Sequence, residues 1–325
     1  MADGDSPPGA GVARPDPITS ALGHLECLGE GPRTVVPLVG GLTNTNVRVT
    51  TPTRDVVVRL SHKDSALLAI DREAEYANSR AAAASGAAPA VVEYVPDHHL
   101  LVVEYVDGRT LTDDDLAAED MLLRVAGACR LLHGGPRFVN DFDMFDVQRA
   151  YLDTVIEQGF RLPAGYLGLI PKASRIRAAL SAYPLETVPC NNDLLPANLI
   201  DDGERIWIID FEYAGNNDPC FELGNIWSEA SLPLGHLDVL VSAYFGEDRP
   251  DLTARARLYG LMSKYGWTLW ASIQHATSTQ DFDFWGWGMQ KYDRAVAEFD
   301  GPDFEHLLDA AAQHTGGIAC PTPSL

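Results

Sequence analysis

The sequence predicts an α+β protein of two lobes, a small N-terminal sheet-plus-helix lobe and a larger, mainly helical C-terminal lobe. Three observations carry this. Short β-branched runs fill residues 34–105 and are interrupted by a single Ala-rich stretch. From Gly108 onward helical patterning dominates. The exception is one segment near residue 200, where short strands flank a polar loop. A chain of 325 residues is long enough for two lobes with substantial cores.

The elements follow in order. Residues 1–16 are rich in Pro, Gly and Asp and read as a disordered tail, as do residues 315–325. The first lobe spans 17–106 and the second 107–314. Val35–Leu38 is a strand leading to Gly40-Gly41, and Asn46–Thr50 is the next. Thr51–Asp55 is a turn, and the β-branched Val56–Leu60 is a third strand. Asp71–Ser85 is an Ala-rich helix. Val91–Val95 and Leu100–Tyr105 are two more strands with Pro96-Asp97 turning between them. A helix is expected over Leu252–Ala276, and short strands around Leu199 and Ile206.

The net charge of −22 argues against nucleic acid and anionic membranes as partners and suits a cationic small molecule. An acidic bias of the whole proteome would give the same charge. Five scattered cysteines without metal spacing read as reduced thiols of a cytosolic protein. No apolar run is long enough to span a bilayer, and the start lacks a signal-peptide pattern.

The chemistry concentrates in Cys190–Asn198 and Asp210–Glu212. Phosphoryl transfer needs a carboxylate to orient or deprotonate an alcohol, oxygen ligands for Mg2+, and a rigid strand delivering the metal-binding carboxylate. Asp193 and Asn198 match the D-x-x-x-x-N catalytic loop of protein kinases. Asp210-Phe211 matches their D-F-G loop, with Glu212 in place of Gly. The apolar strand Ile206–Ile209 leads into it. On the nucleotide side, Gly41, Leu42, Thr43, Asn44 and Asn46 form a small, polar loop that lets backbone and hydroxyl groups approach a phosphate. A plain hairpin loop has the same composition. Arg59 sits mid-strand among apolar residues and needs a partner if it faces inward. Glu73 on the following helix is the expected one, and Glu75, on another helix face, is the alternative.

Together G-G-L-T-N-x-N, a strand Arg, R-E-A-E-Y, N-D-x-x-x-x-N and I-D-F-E-Y-A-G resemble the choline/ethanolamine kinase family. That family belongs to the wider aminoglycoside phosphotransferase group with a protein-kinase-like fold. The resemblance runs from about Gly40 to about Phe299. It implies ATP and Mg2+ as cofactors and a small alcohol as acceptor. It implies adenine against backbone groups of Val103, Glu104, Tyr105 and Val106. It makes Asp193 the catalytic base and Asn198 and Asp210 Mg2+ ligands, with Glu212 near a second metal or the acceptor. Two positions depart from the family pattern: Asn191 stands where His is usual, and Glu222 where Asp is usual. Glu222 is expected to reach back to the Asn191 side chain or to a backbone N–H of the catalytic loop.

For the acceptor, Trp267 and Trp270 lie at i, i+3 on the long helix, and Trp287 follows. Trp faces attract quaternary ammonium groups. In the family, W-x-x-W, a later aromatic and a Glu form the choline pocket, which here implies Trp267, Trp270, Trp287 and Glu229. Tryptophans at helical spacing also serve as core. The expected activity is transfer of the ATP γ-phosphate to a small cationic amino alcohol such as choline or ethanolamine. The alternatives are an aminoglycoside or thiamine phosphotransferase, or a pseudokinase without turnover.

Overall fold

In the computed structural model, residues 17–38, 41, 43–61 and 67–313 are described. The two tails read from the sequence, Gly40 and Leu42 lie outside these residues. Strands β1 (Thr34–Pro37), β2 (Asn44–Thr50), β3 (Asp55–Ser61), β4 (Val91–Val95) and β5 (Leu100–Glu104) form an antiparallel sheet in the order β1-β2-β3-β5-β4. Helix α1 (Pro17–Leu22) and the turn after it bring Leu22, Leu25 and Leu28 onto Val47, Val49, Val56 and Val58. These four valines alternate along β2 and β3, so one face of the sheet is an apolar core.

Helix α2 (Arg72–Ser85) crosses the other face. Asp71 caps it by accepting from the backbone of Glu73 and Ala74, and Gly86 ends it in a left-handed conformation. Its buried residues are Glu75, Asn78, Ser79 and Ala82, spaced i, i+3, i+4, i+7. This phase decides which acidic residue meets Arg59.

The remainder is helical around two small sheets. Strand β6 (Arg109–Thr110) precedes helices α3 (Asp113–Leu116), α4 (Glu119–His133), α5 (Met144–Glu157) and α6 (Ile170–Ala182). Then come β7 (Val188–Cys190), β8 (Leu199–Asp201), β9 (Ile206–Ile208) and β10 (Gly215–Asn217). Strand β10 pairs with β7, and the order β6-β8-β9 makes the other sheet. The β8–β9 hairpin matches the sequence expectation. The others are two or three residues long, β7 with a Pro and β10 with Gly and Asn, and carry no alternating signal. Helices α7 (Pro219–Glu229), α8 (Leu234–Phe245), α9 (Pro250–Thr277), α10 (Phe284–Phe299) and α11 (Phe304–Ala311) complete the lobe. The long helix starts two residues earlier than the sequence suggests, because Pro250 suits the first helical position.

Helix α7 is buried along nearly its whole length. Asp218 caps it and pairs at 2.5 Å with the buried Arg255 of α9. The two helices touch at Gly224 and Gly260. A Cβ on Gly224 would lie 2.0 Å from the Ala256 carbonyl oxygen. Close backbone contact here fixes α7, and with it both ends of the site described below. We expect Gly224→Ala to destabilise the fold by about 1–3 kcal/mol through overpacking. Urea unfolding measures this, and an unchanged midpoint refutes the contact.

Candidate active site

The loop carrying Asp193 leaves β7 at Cys190, and its turn is held by the side chains of Asn191, Asn192, Asn198 and Glu222. Asn192 adopts a left-handed backbone, φ +67°. Its side-chain amide donates to the Cys190, Tyr213 and Gly215 carbonyls, and its oxygen accepts from Asn217. Asn191 joins this loop to the loop that carries Asp210. Its Nδ2 donates to the Asp210 carbonyl at 2.7 Å and to that of Ile209 at 3.2 Å. Its Oδ1 accepts from the Asp193 N–H at 3.1 Å. Asn198 donates to the Asp193 carbonyl at 2.8 Å, and the Leu194 N–H donates to Asn225.

Beneath the loop lies Glu222, fully buried. One carboxylate oxygen accepts the Asn191 N–H and the other the Asn192 N–H, both at 2.8 Å. Of the two partners the sequence allowed, the structure has the backbone N–H. His133 Nε2 is 3.6 Å from the same carboxylate, and its Nδ1 lies 2.8 Å from the Tyr244 hydroxyl. His133 thus packs at the end of α4. His133, Cys190 and Glu222 form a tight buried cluster, but both Glu222 oxygens already hold the loop.

Asp210 also takes a left-handed backbone, φ +64°, which turns its carboxylate toward Arg59. Arg59 Nη2 lies 2.7 Å from Asp210 Oδ1, and Nη1 bonds Glu75. Burial opposes charge on Arg59, yet Asp210, Glu75 and Glu212 hold its pKa above the usual arginine value. The expected Arg59–Glu73 pair is therefore incorrect. Glu73 and Glu75 are about 200° apart around the helix, and only Glu75 lies on the buried stripe. Glu73 instead accepts from the Tyr94 hydroxyl on the outside. Arg72, which the sequence reading did not single out, pairs with Glu75 at 2.7 Å and with Glu212 at 3.3 Å.

Glu212 faces the strand β2 entry. It accepts from the Thr43 hydroxyl at 2.8 Å and the Asn44 amide at 3.0 Å. Thr43 and Asn44 are thus spent on tying the two lobes together. Burial first, then Asp210, pushes the Glu212 carboxyl above the usual range, while Arg59 opposes the shift.

A cavity of about 300 Å³ opens between the lobes. Its walls include Gly41 and Asn46 from the loop, Arg59 from β3, Val103–Val106 from the connection, and Asn198 and Asp210. Gly41 has φ +92°, a conformation that favours glycine. The cavity thus gathers oxygen donors suited to Mg2+, a forked cation and an apolar slot, which fits a metal–nucleotide pair.

On the acceptor side Trp267 and Trp270 are buried and Trp287 is half-buried. Trp270 meets Trp287 with centroids 5.6 Å apart, and its N–H donates to Tyr213 at 2.9 Å. Trp267 meets Tyr213 edge-on at 4.9 Å. The three rings thus form one chain of contacts through Tyr213. Glu229 is held by Lys291 at 2.5 Å. Sequence reasoning missed Lys291, although it falls within the buried α10 stripe of Phe284, Gly288, Tyr292, Ala295 and Phe299. Asp193 feels this surrounding. Burial, then Glu229, Asp210 and Glu212, raises its pKa well above the carboxylate range, and Lys291 pulls it down.

A lobed fold with a D-x-x-x-x-N loop clamped against D-F-E at an inter-lobe cavity is that of a small-molecule kinase. The sequence model of the phosphotransferase enzyme family matches residues 34–260, and the chain belongs to that family. Within it the chain belongs to the choline/ethanolamine kinase group. It superposes with a TM-score of 0.79 on a choline/ethanolamine kinase family protein from Mesorhizobium loti, 32% identical, with 91% of this chain and 98% of that one covered. It is similar to the LicA protein of Haemophilus influenzae, 25% identical over 75% of each chain. It is also similar to ethanolamine kinase 2 of Mus musculus, 27% identical over 71% of this chain and 66% of that protein. Among the described residues no helix is long and apolar enough to cross a membrane.

Removing the Glu222 carboxylate leaves two buried N–H groups without acceptors, at about 1–3 kcal/mol each. Glu222→Ala is expected to lower the melting temperature and kcat while the nucleotide KM changes little. A variant with wild-type kcat would show that the clamp does not position Asp193.

Proposed function

We propose that this protein transfers the γ-phosphate of ATP to the hydroxyl of a small amino alcohol such as ethanolamine or choline. The carrying observation is the Asn191 bridge, which ties the Asp193 N–H to the Asp210 carbonyl and so couples the two loops. In this reading residues 17–106 form the nucleotide lobe and 107–314 the catalytic and acceptor lobe. ATP enters the inter-lobe cavity with adenine against Val103–Val106 and its phosphates toward Gly41, Asn46 and Arg59.

Asp193 orients the acceptor hydroxyl and takes its proton as the oxygen attacks phosphorus in line. Asn198 and Asp210 would hold Mg2+, which supplies neutralisation of phosphate charge when bound. Arg59, fixed by Glu75, presents a forked donor to phosphate oxygens. Glu212, already bound to Thr43, Asn44 and Arg72, holds the lobes in register beside the metal ligands. The cytoplasm, with its ATP and reducing conditions, is the compartment this chemistry and the free thiols suit.

A polycationic aminoglycoside acceptor would need a wide, carboxylate-rich recess. One of about 370 Å³ exists beside Tyr151 and Tyr213. Its carboxylates are otherwise engaged: Asp71 caps α2, Asp143 and Asp146 pair with Arg177, and Glu75 and Glu212 bind arginines. This favours the small amino alcohol.

The reading is tested by acceptor-dependent ADP formation across a panel of amino alcohols, aminoglycosides and thiamine. ADP formation with the amino alcohols alone supports it, and none with any of them defeats it. Asp193→Asn is expected to lower kcat by about 10²–10⁴-fold while nucleotide binding persists. Arg59→Ala should raise the KM for ATP by about tenfold or more through loss of a charge-assisted contact, and an unchanged value would remove Arg59 from the phosphate site.

A further inference from the structure

The tryptophan cluster on the acceptor side already holds a cation. Lys291 Nζ lies 2.5 Å from Glu229 Oε2 and 4.2 Å from the centroid of the Trp287 ring. The Lys291 and Glu229 side chains are 2% and 3% exposed. A buried ammonium is tolerated only with such partners, and a ring face is among the best of them. This is the contact pair that an acceptor ammonium would use, supplied by the chain itself.

The remaining surfaces define what a second cation can find. Trp270 turns one side to Trp287 and spends its N–H on Tyr213. Trp267 is met by Tyr213 and Tyr151. Ring faces are therefore largely committed. Carboxylate capacity is not, because Glu229 Oε1 is buried and has no hydrogen-bond partner. A buried acceptor left open is costly unless something fills it. A quaternary ammonium has no N–H and binds through ring faces and charge. A primary ammonium carries three donors and is much smaller.

We propose that Lys291 sets the acceptor choice of this enzyme: the site takes an alcohol bearing a primary ammonium, which uses the open oxygen of Glu229 beside Lys291, and disfavours a quaternary one, which must expel Lys291 from Trp287. The like-charge repulsion between the incoming ammonium and Lys291 is offset by the carboxylates of Glu229 and Asp193, both close by. The inference rests on the amino-alcohol reading above and names the member of that class the pocket selects.

The test compares ethanolamine and choline as acceptors for the wild-type chain and for Lys291→Met, with kcat/KM for each alcohol. Tryptophan fluorescence titration with the same two alcohols measures binding independently of turnover. Wild type is expected to prefer ethanolamine by about tenfold or more, and Lys291→Met to shift the ratio toward choline by a similar factor. Lys291→Met leaves Glu229 buried and unpaired, so the double variant Glu229→Gln/Lys291→Met provides a neutral pocket if the single variant does not fold. Its ratio should also move toward choline. A wild-type chain that phosphorylates both alcohols equally, or prefers choline, overturns the inference and leaves the amino-alcohol reading standing. Variants that lose both alcohols in equal proportion overturn it as well. Turnover of neither alcohol defeats the amino-alcohol reading. The binding ratio then decides on Lys291, and absence of saturable binding overturns that too.

Discussion

The site depends on a single buried carboxylate. Glu222 accepts two successive backbone N–H groups, and in doing so it fixes the peptide planes on either side of Asn191. Two consecutive N–H groups pointing the same way cannot be satisfied within a regular strand. The strand therefore ends at Cys190, and Asn192 takes a positive φ just before Asp193. Everything that follows is arranged from this point: Asn191 reaches forward to the Asp210 carbonyl, Asn198 back to Asp193, and Asn225 supports the next residue. The loop is held almost entirely by side-chain amides and one carboxylate, which are directional and tolerate little displacement.

A second constraint lies across the cleft. Arg59 and Arg72 share three carboxylates between them: Glu75, Asp210 and Glu212 each lie within ion-pair distance of at least one, and Glu75 of both, with Asp193 near enough to Asp210 and Glu212 to feel them. Negative charge exceeds positive in this group. Such a site is poised for added cations, and a metal ion would lower the proton affinities that crowding has raised. Electrostatics and hydrogen bonding thus point to the same occupant.

Much of this was legible in the sequence, for a physical reason. Phosphoryl transfer places strict demands on residue type and spacing, so Asp193, Asn198 and Asp210 stand out against any background. The strands of the first sheet were legible because β-branched alternation is a direct imprint of a one-sided core. The Arg59 partner was misread because Glu73 and Glu75 stand on different faces of one helix and only the helix phase decides between them. The stripe of Glu75, Asn78, Ser79 and Ala82, all small or polar, hides the buried face from a search for large apolar residues. Lys291 escaped for the converse reason: a lysine is taken for a solvent-facing residue unless its partner is known, and Glu229 lies 62 positions earlier. The strands of two or three residues exist only because the loops they join are held elsewhere.

Helix α7 carries Glu222 near its start and Glu229 at its end, seven residues or about two turns apart. The glycine contact with α9 locks the segment between them. Loop geometry and, in the proposed function, acceptor recognition therefore hang from one rod, and neither can be adjusted by moving it without disturbing the other. Lineages that acquire a new acceptor are left with α10 as the adjustable wall. Drift in acceptor preference should accordingly be recorded around Trp287 and Lys291, while α7 remains the invariant of the chemistry.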